Sequence, residues 1–276
     1  MSERVEVTDL VAEARALDPD RTTCVMLGEP GDRPLLLALV LLNAELARIP
    51  ELVREPLVGM IRYQWWHDSL VAAATGRGTA RVPLLEPLAA AFAAGRLDPA
   101  QVDDLVTARE AELDRLQPDD LAALEAFAAA TSGALHRQMA LACGGRPLEV
   151  RAALLVGTGF ALVGLARAVG HHRTQDRVLL PADLLAAEAV TVDDILAARA
   201  AGELDRVTGR ILERAEALLA EARTLGPFRR RLLPALLPAR LARRQASRLR
   251  RAPKAPESRD AWSVPDLVWG WLSRRV

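Results

Sequence analysis

Two groups of residues in this chain have types and spacings suited to chemistry. Arg62, Trp65, Trp66 and Asp68 fall within two turns of one predicted helix. Residues three or four apart share a helical face, so Arg62 aligns with Trp66 and Trp65 with Asp68. Neighbouring indoles point about 100° apart on a helix, so one packs inward while the other lines a cavity or meets a partner. His171 and His172 form the second group. Adjacent imidazoles are a poor chelating pair, because helical chelation needs i,i+4 spacing. They read as a solvated or capping pair, or as the lining of a site that takes a softer metal than Mg²⁺. The pairs Asp103-Asp104, Asp119-Asp120 and Asp193-Asp194 sit near predicted helix starts, where acids complement the dipole. None has a second acid four residues on, so none offers two carboxylates on one face.

The elements that must position these residues are helical almost throughout. Ala, Leu and Arg dominate, 51% of the chain is hydrophobic and only 4% aromatic, which favours helices with a sizeable core. Sustained alternation is missing, so strands are not expected. Pro34, with Asp32 as N-cap, opens a helix through Leu46; Pro56 opens the helix that carries the tryptophans, stopped at Gly76. A helix from Pro83 ends at Gly95, and Asp98-Pro99 reads as N-cap and first helical position. Asp119 and Asp120 cap a helix that runs past His136. The stretch from Pro147 to about Val169 is the most apolar and should be the most buried helix. Thr191 to Asp194 forms a capping box ahead of one long helix to Leu225. Residues 1–251 read as one domain, and 252–276 as a tail with a short Trp-rich end carrying Trp262, Trp269 and Trp271.

The 276 residues carry 36 basic and 36 acidic side chains, so the chain is neutral overall. Its charge is uneven: from Arg223 to Lys254 there are ten arginines, the one lysine and no acid. Arg229, Arg230, Arg231, Arg240, Arg243 and Arg244 lie beside Phe228, Leu232, Leu233, Leu236 and Leu237, a mixture suited to an anionic membrane surface or an acidic partner. A helix packed on the bundle with its arginines in solvent is the other reading. No nucleic-acid motif or stacking platform is present. Cys24 and Cys143 have no partner spacing and suit a reducing compartment. Residues 1–10 do not read as a signal peptide, and the longest uncharged run, Arg151 to Arg167, falls short of the roughly 20 residues of a spanning helix. A cytoplasmic protein, at most peripheral to the membrane, is expected.

An ordered set of segments resembles the squalene/phytoene synthase family. Ile61-Arg62-Tyr63-Gln64-Trp65-Trp66-His67-Asp68 is similar to its I-R-L-x-W-W-R-D stretch, and Leu39 to Arg48 to its first functional helix. Phe127 to Gly145 resembles its small-residue helix, and Gly159 to Leu184 its second functional helix with the closing L-P-x-D. The resemblance runs collinearly from about Leu17 to Arg251. It implies an all-α isoprenoid-synthase bundle around a central cavity, joining two isoprenoid diphosphates head to head. That chemistry needs Mg²⁺ to neutralise the departing diphosphate, held by carboxylates of D-x-x-x-D motifs on two facing helices.

By this resemblance both motifs are altered. Ala47 and Glu51 stand at the first, beside Arg48, and Ala168 and His172 at the second, with Arg167 kept. No acid lies between Arg151 and Gln175. Asn43-Ala44-Glu45-Leu46-Ala47 resembles the N-x-E-[IL]-A signature of the branch that includes a mitochondrial complex I assembly factor. The expectation is therefore a non-catalytic protein without a cofactor that binds a partner protein, an isoprenoid or another lipid. The alternative is an active, Mg²⁺-dependent prenyltransferase. The cavity should be apolar and bounded by Asn43, Glu45, Arg48, Arg62, Trp65, Trp66, Asp68, Gly164, Arg167, His171 and His172.

Overall fold

In the computed structural model, residues 2–77, 82–114, 117–251 and 263–273 are described. Among them the chain is helical, with no strand. Helices α1 (Ser2–Leu17) and α2 (Pro19–Met26) lead through a 3₁₀ turn, Pro30–Asp32, into α3 (Arg33–Leu52). Then come α4 (Pro56–Thr75), α5 (Leu85–Ala93), α6 (Pro99–Glu110) with a 3₁₀ turn at Ala111–Asp114, and α7 (Leu121–Ala128). A π turn, Ala129–Gly133, joins α7 to α8 (Ala134–Ala142). The second half holds α9 (Pro147–Arg167), α10 (Val169–Thr174), α11 (Ala182–Ala187), α12 (Val192–Leu196), α13 (Ala201–Thr224), α14 (Leu233–Leu236), α15 (Pro238–Arg251) and α16 (Ser263–Ser273).

Local signals explain most boundaries. Asp98 and Asp120 accept backbone hydrogen bonds as N-caps, and Thr191 with Asp194 forms the reciprocal capping box. Gly76, at φ 67°, turns the chain out of α4 in a conformation that a side chain would resist. Three expectations need correction. Asp32 precedes α3 but caps nothing with its side chain, because Arg231 and Arg96 claim its carboxylate. Residues 192–225 form two helices, since Ala198 adopts φ 56° and breaks the run. Among the long helices α3, not α9, is the most buried: Leu35, Leu36, Leu37, Leu39, Leu41, Leu42 and Leu46 are all inside. At about 2 kcal/mol for each buried leucine, α3 is the spine of the core.

Helix α9 is the one described helix long and apolar enough to cross a membrane by length and composition, and it is half buried. It packs on α13, α8, α15 and the π turn. A buried polar network locks that region. Arg21 donates to His136 Nε2 at 3.0 Å, to Ser132 Oγ at 2.5 Å and to Asp18 at 2.6 Å. Ser132 donates to the Gly157 carbonyl, and His136 Nδ1 lies 2.7 Å from the Ala235 carbonyl. Burial, helped by Arg21, pushes the His136 pKa down to about 3, so its ring is neutral and accepts from Arg21. Gly157 permits the close approach: a Cβ there would collide with the Ser132 carbonyl.

Candidate functional site

The sequence places its candidate residues on α3, on α4 and on α9–α10. Helix α3 packs mainly on α1, α2, α5 and α8, whereas α9 packs on α13, α8 and α15, so neither is a main neighbour of the other. They meet at one end, where His171 of α10 lies 3.3 Å from Glu51 of α3. Along α9, Phe160, Ala161 and Leu165 are only partly buried, and a Cβ built at Gly164 would meet no atom within 4 Å. Open space therefore lies beside the C-terminal half of α9. A small, partly open void of about 10 Å³ lies against Leu165, His172, Arg177 and Ile195, enough for one water-sized occupant.

The floor of this gap is polar, which corrects the expectation of an apolar pocket at Asn43. Arg109, from the end of α6, donates to Asn43 Oδ1 at 3.3 Å and to Glu112 Oε1 at 2.6 Å. Its guanidinium also lies 5.7 Å from the Phe127 ring centre. Arg177 reaches the other oxygen of Glu112 at 3.4 Å. Glu112 and Arg177 have side chains only 9% and 4% exposed. One carboxylate thus balances two buried guanidiniums, and the Nε atoms of both arginines find no acceptor among the described residues. Tyr63 closes the same floor, donating to the Leu46 carbonyl at 3.2 Å. Burial raises its pKa far above the usual phenol range, so it remains protonated. Burial also lowers His172 to about 4, and the positive charge of Arg177 adds to the effect. At neutral pH His172 is an uncharged ring on the wall of this cluster.

The predicted residues divide into two sets. Asn43 joins the Arg109 cluster, His172 lies beside Arg177, His171 meets Glu51, Gly164 faces open space, and Trp66, 6% exposed, packs into the core. Glu45 is held by Arg48 at 3.1 Å. Arg62, Trp65 and Asp68 face outward with Gln64, and Arg167 is also exposed, so the structure does not bring these into the interior. The two indoles meet edge to face at 4.9 Å, one inside and one outside. Arg109, Glu112 and Arg177, the charged centre of the gap, were not singled out from sequence. Arg109 and Glu112 have ion-pair spacing across the end of α6, and Arg177 opens the R-V-L-L-P stretch already noted, but neither signal distinguishes burial from a solvated face.

The basic face also needs correction. Phe228, Leu232, Leu233, Leu236 and Leu237 are core residues, at most 3% exposed, and cannot form a lipid-facing stripe. Acids from elsewhere in the fold offset much of the neighbouring charge. Arg229 pairs with Glu149 at 2.5 Å, Arg231 with Asp32 at 2.6 Å, and Arg250 with Glu216 at 3.0 Å. Arg230 stacks on Trp271 at 4.8 Å, and Arg243 donates to the Leu219 carbonyl. Arg240, Arg243 and Arg244 border, with Arg251, a surface depression of about 530 Å³. Trp262 and Lys254 lie outside the described residues.

Three kinds of comparison place this geometry among known proteins. The chain is similar over 183 residues, at 27% identity, to the NADH dehydrogenase (ubiquinone) complex I assembly factor 6 of Bos taurus, covering 66% of this chain and 55% of that one. It is 37% identical over 91 residues to the phytoene synthase of Thermus thermophilus, covering 33% and 31% of the two chains. The similarity thus spans about half of one curated relative and a third of the other. Its fold matches that of a squalene synthase from Alicyclobacillus acidocaldarius, with a TM-score of 0.78 at 18% identity, covering 92% and 96% of the two chains. It also matches that of a dehydrosqualene synthase, with a TM-score of 0.80 at 15% identity, covering 98% and 96%. The family model for squalene/phytoene synthase matches residues 14–265, and the chain belongs to that family.

Proposed function

We propose that the chain is a binding protein on the synthase fold, of the assembly-factor type, and does not carry out Mg²⁺-dependent head-to-head condensation. The observation that carries this reading is the donor set of the gap. Mg²⁺ bound to a diphosphate needs hard oxygen ligands from both sides. Helix α3 offers Glu45, held by Arg48, and Glu51, beside His171; α10 brings His171 and His172, and α9 has no acid after Glu149, which pairs with Arg229. Glu112, the acid between them, is engaged by Arg109 and Arg177. These donors do not fit a Mg²⁺ cluster.

The assembly factor with which the chain shares 27% identity supports a role in binding a protein partner. The open face at Gly164 suits an isoprenoid or another lipid chain as ligand. The second reading, an active prenyltransferase, is favoured by the 37% identical stretch shared with a phytoene synthase. Thermal melting with farnesyl or geranylgeranyl diphosphate, with and without Mg²⁺, separates the two. The binding-protein reading expects any stabilisation by the diphosphate to be independent of Mg²⁺. A shift that appears only with Mg²⁺ and disappears with chelator would favour the enzyme.

A further inference from the structure

Arg177 is a buried cation with little to balance it. Its side chain is 4% exposed, yet among the described residues its guanidinium makes one hydrogen bond, a long one of 3.4 Å to Glu112. Its Nε finds no acceptor there. Glu112 is also a shared partner, since Arg109 holds its other oxygen at 2.6 Å. Two guanidiniums, 4% and 13% exposed, thus stand against one carboxylate. A desolvated charge without its counter-charge is costly, and ordered water or a counter-ion relieves that cost.

Arg177 lines the partly open void of about 10 Å³ together with His172. The other lining side chains are apolar, Leu165, Val169, Leu180 and Ile195 among them, and no carboxylate borders it. The uncharged His172 ring makes no hydrogen bond among the described residues, which leaves its N–H as a second donor. The further acids of this region are engaged elsewhere: Glu51 with His171, at 35% exposure, and Glu110 with His67, at 32%. Arg177 acts on His172 more strongly than Glu112 or Glu51 does. A water would accept a hydrogen bond but leave the second guanidinium without a counter-charge, whereas an anion supplies both. The volume suits a monatomic ion and excludes a phosphate or the head of a lipid.

We propose that the void beside Arg177 and His172 binds a monovalent anion of chloride size, which completes the charge balance of Arg109, Glu112 and Arg177. The argument is the same for a binding protein and for an enzyme, so it stands or falls apart from the proposal above. The test compares thermal melts of the full chain in potassium chloride and in potassium gluconate, whose anion is too large for the void, at equal ionic strength. It also locates bromide by anomalous scattering in crystals grown from potassium bromide. With chloride at about ten to a hundred times its Kd, the melting temperature should rise by about 2–5 °C. Arg177→Met should abolish the chloride-specific rise, and Glu112→Gln should enlarge it, because one more positive charge then lacks a partner. Should either variant fail to fold, the bromide map of the parent decides, with a peak expected within hydrogen-bonding distance of the Arg177 guanidinium. Three results overturn the proposal: equal melts of the parent in the two salts, a chloride effect unchanged in Arg177→Met, or ordered water alone in the void of the bromide crystals.

Discussion

Replacing Glu112 by Gln perturbs the centre of the gap with least change of shape. In the parent, Glu112 accepts from Arg109 at 2.6 Å and from Arg177 at 3.4 Å, and its own side chain is 9% exposed. The glutamine keeps an amide oxygen for one arginine but removes the charge that balances two. Breaking a buried pair by removing one partner costs about 3–5 kcal/mol, because the remaining charge stays desolvated. The retained hydrogen bond and the 13% exposure of Arg109 place the expected cost near the lower limit, about 3 kcal/mol. For a chain of 276 residues that lowers the melting temperature by about 5 °C. Thermal and urea melts of Glu112→Gln at neutral pH measure it. Adding Arg177→Met should recover part of the loss, since an apolar side chain then replaces an unbalanced charge. A Glu112→Gln protein that melts within about 1 °C of the parent would show that the three charges are not closed off from water, and the reasoning about the gap would fail.

Other predictions concern protons and space. Burial alone would lower His67, but hydrogen bonds with Asp103 and Glu110 override it and raise its pKa. Its stabilising effect is present below the unfolded-state value of 6.5 and is lost as pH rises through the folded value, so His67→Gln should destabilise at pH 5.5 and do little at pH 9 in paired melts. Glu149 moves the other way: Arg229 lowers it from 4.5 to about 2. That contribution is present above 4.5 and fades as pH falls towards 2. Because Arg229 is 41% exposed, Glu149→Gln should cost about 1–2 kcal/mol at pH 7 by urea titration, with the gap closing in acid. Gly157→Ala should destabilise by about 1–3 kcal/mol through collision with Ser132, whereas Gly164→Ala, facing open space, should stabilise by about 0.5–1 kcal/mol. Equal effects at the two glycines would remove the evidence for free space beside α9.

The fold was legible because its signals are local and additive. Proline and aspartate at Asp98-Pro99, the box at Thr191–Asp194 and the stop at Gly76 each act within one turn. Ala198 shows the limit, since no local rule marks that alanine for positive φ; it closes the end of α12, where its N–H donates to the Ile195 carbonyl and that of Arg199 to the Asp194 carbonyl. The site was legible only where a motif carried it. Gly164, His171 and His172 came to open space, to Glu51 and to Arg177 through the segment they share with the family pattern. Arg109, Glu112 and Arg177 were missed because their pairing joins α6 to the segment after α10, about 65 positions apart. The burial of Phe228 and Leu232–Leu237 was missed for a related reason. An arginine-rich amphipathic piece looks the same in sequence whether its apolar side meets lipid or its own core, and only the partners of Arg229 and Arg231 decide.

The account's central claim is that this synthase fold holds no diphosphate-activating Mg²⁺ cluster, because Glu112 is engaged by arginines and α9–α10 bring no acid to the gap. The most direct measurement is turnover: release of inorganic diphosphate and formation of a head-to-head product from farnesyl or geranylgeranyl diphosphate with saturating Mg²⁺. The account predicts neither above the rate without protein, and no change on adding EDTA. Stoichiometric diphosphate release with a C₃₀ or C₄₀ product, abolished by EDTA, would contradict it.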